Sequence, residues 1–215
     1  MLLHNVEDYT ADNAAMIWDG LFSTELLEEV YSLREQPLWE FNNGHPPKKS
    51  WCIDICNYGL KKAKYNSMED IINFHSNNWD QICKDYPFVP IVWKKVSTLT
   101  KYDLKLARTW INGHTYGLGD TIHSDQDENG SGVCDWNEAK GITWLLYCNP
   151  QWSPDAGGET KFYRKNGDLL KSVSAMPGRL IAFDPRLLHK GESPSRYCPD
   201  LRVTLTFHTR FEGEI

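Results

Sequence analysis

The chain has 215 residues, with 23 Lys and Arg against 29 Asp and Glu, for a formal net charge of −6. That length suits one domain, or a domain with a helical extension. The acidic balance argues against a broad phosphate-binding surface, so nucleic acid is not an expected partner. At 40% hydrophobic and 24% charged, the composition is that of an ordinary soluble globular protein. Its 9 Trp, 10 Tyr and 8 Phe serve core packing and can line a cleft. The cysteines Cys52, Cys56, Cys83, Cys134, Cys148 and Cys198 form no Cys-x-x-Cys pair, which excludes a zinc knuckle and a disulfide framework. The first residues, MLLHNVEDYT, lack a basic n-region, and no apolar run reaches membrane-spanning length. The expectation is therefore a cytoplasmic protein with neither signal peptide nor membrane partner. Nothing in the pattern fixes an oligomeric state.

Residues 1–22 read as largely extended, ending at the turn signal Asp19-Gly20. Ser23 is a good N-cap, and Leu26, Leu27, Val30, Tyr31 and Leu33 recur at helical spacing, so a helix is expected over about 24–35, ended by Pro37. The segment 42–50 is a loop, in which His45 reads as exposed, and 51–58 is a strand. Ser67, Glu69 and Asp70 open a second helix, whose buried stripe is Ile71, Ile72, Phe74, Trp79 and Ile82; His75 on it reads as structural or exposed. Pro87 and Pro90 bracket a break, followed by a short helix near 91–100. These helices are expected to brace one face of a sheet.

From about residue 104 the runs become short, aromatic and β-branched. Strands are expected at 104–112, 120–125, 142–148, 159–163, 169–174, 179–184, 187–190 and 201–209. Turns fall at Asn149-Pro150, Gly157-Gly158, Asn166-Gly167 and Pro177-Gly178. Eight short strands suggest a sandwich or jelly roll. The fold class is therefore α+β, mainly β, with N-terminal helices packed on one sheet. The whole of 1–215 forms one domain, in which 1–103 is the brace and 104–209 the core. The polar, Gly-containing loop 126–141 reads as a lid.

His123 and Asp125 stand one residue apart, and on an extended strand their side chains share a face. They supply two members of a 2-His-1-carboxylate triad of the kind that binds non-haem Fe(II). The pair alone also fits a solvated loop. A third ligand must come from a strand remote in sequence, and His189, just beyond the apolar run 179–184, fits; the bland alternative for it is a capping or surface histidine. His4, His45, His75, His114 (in a turn) and His208 are weaker candidates. In 201–208 Arg202, Thr204, Thr206 and His208 alternate with Val203, Leu205 and Phe207. An arginine on a face of hydroxyls is costly to bury unless it meets an anion. Its fork, completed by Thr204 and Thr206, suits the far carboxylate of a dicarboxylate such as 2-oxoglutarate. Arg196, in the preceding loop, is the rival anchor.

The stretches NGHTYGLGDTIHSD (112–125), WLLYCNPQW (144–152), GGETKFY (157–163), MPGRLIAFDPRLLHKGESP (176–194) and LRVTLTF (201–207) occur in that order. Together they resemble the catalytic core of the Fe(II)/2-oxoglutarate-dependent dioxygenases, in particular the prolyl 4-hydroxylase-like branch. The resemblance implies a double-stranded β-helix with iron held by His123, Asp125 and His189. It implies 2-oxoglutarate paired with Arg202, and Tyr147 and Thr206 close to the same carboxylate. It implies Fe(II), 2-oxoglutarate and O2 as cofactor and cosubstrates, and admits ascorbate as an accessory. The expected reaction couples decarboxylation of 2-oxoglutarate to succinate and CO2 with hydroxylation of a substrate C–H bond. Asp125 favours hydroxylation over halogenation, because related halogenases carry a small residue there. Two loops depart from the family pattern: the one after the metal pair and the one between His189 and Arg202 are longer than in the oxygen-sensing prolyl hydroxylases. Many collagen-type prolyl hydroxylases also carry lysine where Arg202 stands. The expected substrate is a prolyl or other residue of a peptide or protein. The alternatives are a free amino acid or small natural-product metabolite and, third, an inactive jelly-roll binding module.

Overall fold

The computed structural model describes residues 5–43, 50–55, 68–126 and 139–212. Residues 44–49 of the expected loop 42–50, with His45, the end of the expected strand 51–58, His4, the side chain of His75 and most of the expected lid 126–141 lie outside the described residues; the ends of that loop belong to strands. Ten strands and three α-helices are described: β1 (Met16–Trp18), α1 (Thr24–Ser32), β2 (Glu40–Asn43), β3 (Ser50–Asp54), α2 (Met68–Asp85), α3 (Phe88–Thr98), β4 (Leu104–His114), β5 (Thr143–Tyr147), β6 (Thr160–Tyr163), β7 (Leu169–Val173), β8 (Leu180–Phe183), β9 (Leu188–Gly191) and β10 (Arg202–Phe211). They form a seven-stranded sheet in the order β1-β8-β5-β10-β4-β3-β2 and a three-stranded sheet in the order β7-β6-β9. This is the expected mainly-β, double-stranded β-helix architecture with helices on one sheet. No helix among the described residues is long and apolar enough to cross a membrane.

The first helix forms where its cap and periodicity place it. Ser23 Oγ accepts a hydrogen bond from the Leu26 N–H, and Leu26, Leu27 and Val30 are the buried stripe of α1. The helix expected to reach residue 35 passes instead into a 3-10 turn at Leu33–Glu35. Pro90, expected to mark a break, lies inside the first turn of α3. Its missing N–H costs nothing there, because first-turn N–H groups have no intrahelical partner. Helix residues Val30, Val89, Val92 and Val96 share one core with the outward face of the large sheet, including Val203, Leu205, Phe207 and Trp144. A second core lies on the other side of that sheet, where Ile181 and Phe183 of β8 meet Phe162, Val173 and Leu187. The N-terminal residues Val6, Tyr9, Ala14 and Ala15 belong to this second core, so the segment expected to be extended packs against β8 and the small sheet.

Two features of strand geometry position the site. The alternation expected in β10 holds: Arg202, Thr204, Thr206 and His208 all line one cavity, while Val203, Leu205 and Phe207 fill the helix-facing core. The expected strand 120–125 is not formed. His123 makes an isolated bridge with His189, and Asp125 lies in a turn. The two residues converge because main-chain hydrogen bonds to β9 and the turn before it hold them, as described next.

Candidate metal and cosubstrate site

His123 and His189 face each other through paired main-chain bonds. The His123 N–H donates to the His189 carbonyl at 3.0 Å, and the His189 N–H donates back at 2.9 Å. The Asp125 N–H donates to the Pro185 carbonyl at 2.9 Å. Each imidazole also has its Nδ1 against a main-chain carbonyl, Thr121 at 2.8 Å for His123 and Leu187 at 2.9 Å for His189. An Nδ1–H donated there leaves Nε2 as the inward-facing lone pair, which is the tautomer a metal requires. His123 Nε2 lies 3.5 Å from Asp125 Oδ1, and His189 Nε2 lies 3.4 Å from Asp125 Oδ2. One ligand atom from each of the three residues falls within 4.8 Å of the others. The His123 side chain is 36% exposed against 8% for His189 and 7% for Asp125, so the open side of the cluster is at His123. Phe183 and Phe162 wall off His189, with ring centroids 4.6 Å and 6.1 Å away.

The electrostatics follow from this crowding. Burial opposes ionisation of Asp125, but the surrounding imidazoles of His208, His189 and His123 outweigh it and hold the carboxyl well below its ordinary range. Burial likewise opposes charge on His123. The hydrogen bond to Asp125, the charges of Asp125 and Asp120 and the Thr121 carbonyl overcome it, lifting His123 to about 9.

Two partners of Asp125 have no clear signal in the sequence. Thr143 donates its hydroxyl to Oδ2 at 2.8 Å, and His208 Nε2 lies 3.1 Å from the same oxygen. His208, set aside above as a weaker candidate, is brought in by β10. Its ring packs edge-on against Trp110, with centroids 4.3 Å apart, beside a register shift between His208 and Thr209. Burial pushes its pKa down, against the pull of Asp125.

The same cavity is lined by Arg202, Thr204, Thr206, Thr160, His114 and Asp120. His114, expected in a turn, ends β4 and is buried beside Arg202. Arg202 is 1% exposed, and no carboxylate among the described residues lies within ion-pair distance of it. Its Nε donates to the Gly158 carbonyl at 2.6 Å, Nη2 donates to Thr160 Oγ1 at 3.3 Å, and Nη1 lies 3.5 Å from His114 Nδ1. A guanidinium has five N–H groups, so these contacts leave one on each terminal nitrogen, the pair that forks a carboxylate. The hydroxyls of Thr204 and Thr206 are buried with no hydrogen-bond partner. Tyr147 supports this group from beneath: its ring lies under the guanidinium at 5.1 Å, and its hydroxyl donates to Thr160 Oγ1 at 2.7 Å. Arg196, the rival anchor, instead stacks on exposed Tyr197 in the loop.

Residues 111–210 match the family model described as the 2OG-Fe(II) oxygenase superfamily. They are a 2OG-Fe(II) oxygenase domain. No curated protein sequence matches the chain. Among solved structures, the oxygenase is similar to a Trichoplax adhaerens prolyl hydroxylase in complex with a hypoxia inducible factor oxygen degradation domain peptide fragment. The identity is 18% and the TM-score 0.54, covering 92% of this chain and 84% of that one. It is also similar to a Pseudomonas putida prolyl-4-hydroxylase, at 13% identity and TM-score 0.54, covering 95% of this chain and 98% of that one. A prolyl 4-hydroxylase from Phytophthora capsici matches at 19% identity and TM-score 0.53, covering 94% of this chain and 60% of that one. These likenesses carry the fold.

The oxygenase uses Fe(II), 2-oxoglutarate and O2, and the residues present fit them. Two imidazoles and a carboxylate are the donor set suited to ferrous iron. The buried fork of Arg202, which meets no carboxylate among the described residues, and two orphaned hydroxyls suit an anionic cosubstrate end. The fork depends on Gly158, whose φ is +79°. A Cβ added there would lie 2.9 Å from Arg202 Cδ and 3.2 Å from Trp152 Cζ2. Gly158→Ala is therefore expected to combine backbone strain with displacement of Arg202, costing about 1–3 kcal/mol of stability. A lowered midpoint in a thermal melt checks this, and an unchanged midpoint would refute it.

Proposed function

We propose that this oxygenase hydroxylates an aliphatic C–H bond in a prolyl or other residue of a peptide or protein, with His123, Asp125 and His189 as the iron ligands. Arg202 pairs with the far carboxylate of 2-oxoglutarate, Thr204 and Thr206 complete that pocket, and Tyr147 stabilises it through Thr160. The whole of 1–215 works as one domain, with 1–103 bracing the core at 104–209. The observation that carries the reading is a single cavity lined by both the His-Asp-His cluster and an Arg202 fork with one N–H spare on each terminal nitrogen. The peptide bound to the Trichoplax adhaerens neighbour supports a protein residue as substrate.

When bound, iron with 2-oxoglutarate and O2 supplies the oxidising power: succinate and CO2 are released and one oxygen atom enters the substrate C–H bond. The protein's own residues orient and insulate. The Thr121 and Leu187 carbonyls keep both imidazoles in the ligating tautomer, and Thr143 anchors one oxygen of Asp125. Phe162 and Phe183 exclude water behind His189, while substrate approaches from the more exposed His123 side.

The test is succinate release with Fe(II) across proline-containing peptides, free amino acids and small metabolites, followed by mass spectrometry. The expected result is peptide-stimulated succinate and a peptide heavier by one oxygen atom. Oxygen incorporation only into a free amino acid or metabolite would replace the protein substrate. Absence of any iron-dependent 2-oxoglutarate consumption would overturn the site assignment itself.

A further inference from the structure

The turn between β8 and β9, Asp184-Pro185-Arg186-Leu187, holds a buried ion pair that the reaction does not consume. Arg186 and Asp184 side chains are 1% and 0% exposed. Arg186 Nη2 donates to Asp184 Oδ2 at 2.7 Å, its Nε lies 3.1 Å from both carboxylate oxygens, and its main-chain N–H donates to Oδ1 at 2.9 Å. A third group arrives from the far end of the chain: Tyr9, 2% exposed, donates its hydroxyl to Asp184 Oδ2 at 2.9 Å. Tyr9 follows the 3-10 turn Val6–Asp8 and packs in the core that contains Leu187.

What this turn presents on its other side is the site. The Pro185 carbonyl accepts from the Asp125 and Gln126 N–H groups, and the Leu187 carbonyl faces His189 Nδ1. Two of the three groups in the metal cluster are therefore placed by carbonyls of one four-residue turn, whose shape is set by the Asp184–Arg186 fork. A buried ion pair gives little net stability over apolar side chains of similar volume. At this turn it supplies geometry. We infer that Tyr9, Asp184 and Arg186 form a clasp that positions Asp125 and His189, which makes the N-terminal segment a positioning element of the metal site. The inference rests on the proposed ligand set.

The experiment titrates metal-free, full-length protein with Co(II), reading affinity and the visible ligand-field spectrum at a temperature where circular dichroism shows every variant folded. Tyr9→Phe keeps the ring and loses the hydroxyl, and Arg186→Lys keeps the charge and loses the fork. Each is expected to weaken Co(II) binding about tenfold, as groups that orient metal ligands do. Wild-type affinity in folded Tyr9→Phe, even with a lowered melting midpoint, would overturn the clasp and leave a purely structural cluster. If Arg186→Lys does not fold, Tyr9→Phe decides alone. Failure of the ligand set looks different: wild type would bind no Co(II), or His189→Ala would bind it as wild type does, and the clasp would fall with it.

Discussion

Asp125→Ala is expected to reduce iron-dependent succinate formation to the protein-free background, a loss on the order of a thousandfold or more. That corresponds to the several kcal/mol of transition-state stabilisation a correctly held metal supplies. The size of the effect follows from where Asp125 sits. It is the only carboxylate of the His-Asp-His cluster, held ionised by the imidazoles around it and fixed by the Thr143 hydroxyl and the Pro185 carbonyl. On the proposed ligand set, removing it takes away one ligand and the negative charge that offsets the cation. Turnover undiminished in a folded variant, checked by circular dichroism, would sink the ligand assignment.

Arg202→Leu is expected to act on the cosubstrate and not on the metal. Truncating one partner of a buried, hydrogen-bonded charge pair costs about 2–5 kcal/mol, so the KM for 2-oxoglutarate should rise roughly thirtyfold to several thousandfold. Co(II) affinity of the metal-free protein should stay near wild type, because Arg202 hydrogen-bonds Gly158 and Thr160 and approaches His114, none of which belongs to the His-Asp-His cluster. Arg202→Lys should fall between, since an ammonium keeps the charge and loses the fork. An unchanged KM in Arg202→Leu would return the anchor to another residue. Equal loss of metal binding would mean that the substitution had damaged the fold.

How much of this could be read beforehand differs from residue to residue. Ser23 and the apolar spacing after it marked α1, and period-two alternation correctly placed Arg202, Thr204, Thr206 and His208 on one face of β10. For His123 and Asp125 the pairing was legible and its cause was not. No regular strand runs through them, and their convergence comes from bonds to His189 and Pro185. Pro90 misled because a proline's effect depends on its place in a helix, and the first turn accepts it.

Local order is decided by interactions a few residues apart, so the sequence by itself determined the Ser23 cap of α1, the glycine turns and which side chains share a face of β10. It also determined the set of chemical groups available: imidazoles, one paired carboxylate and an arginine among hydroxyls. Tertiary structure alone decided which of these meet. His189 reaches His123 through a bridge between segments remote in sequence, and β10 carries His208 to within 3.1 Å of an Asp125 oxygen. Tyr9 closes on Asp184 across 175 positions. Such contacts depend on sheet order and on burial that excludes competing water, and no pattern of neighbouring residues encodes either.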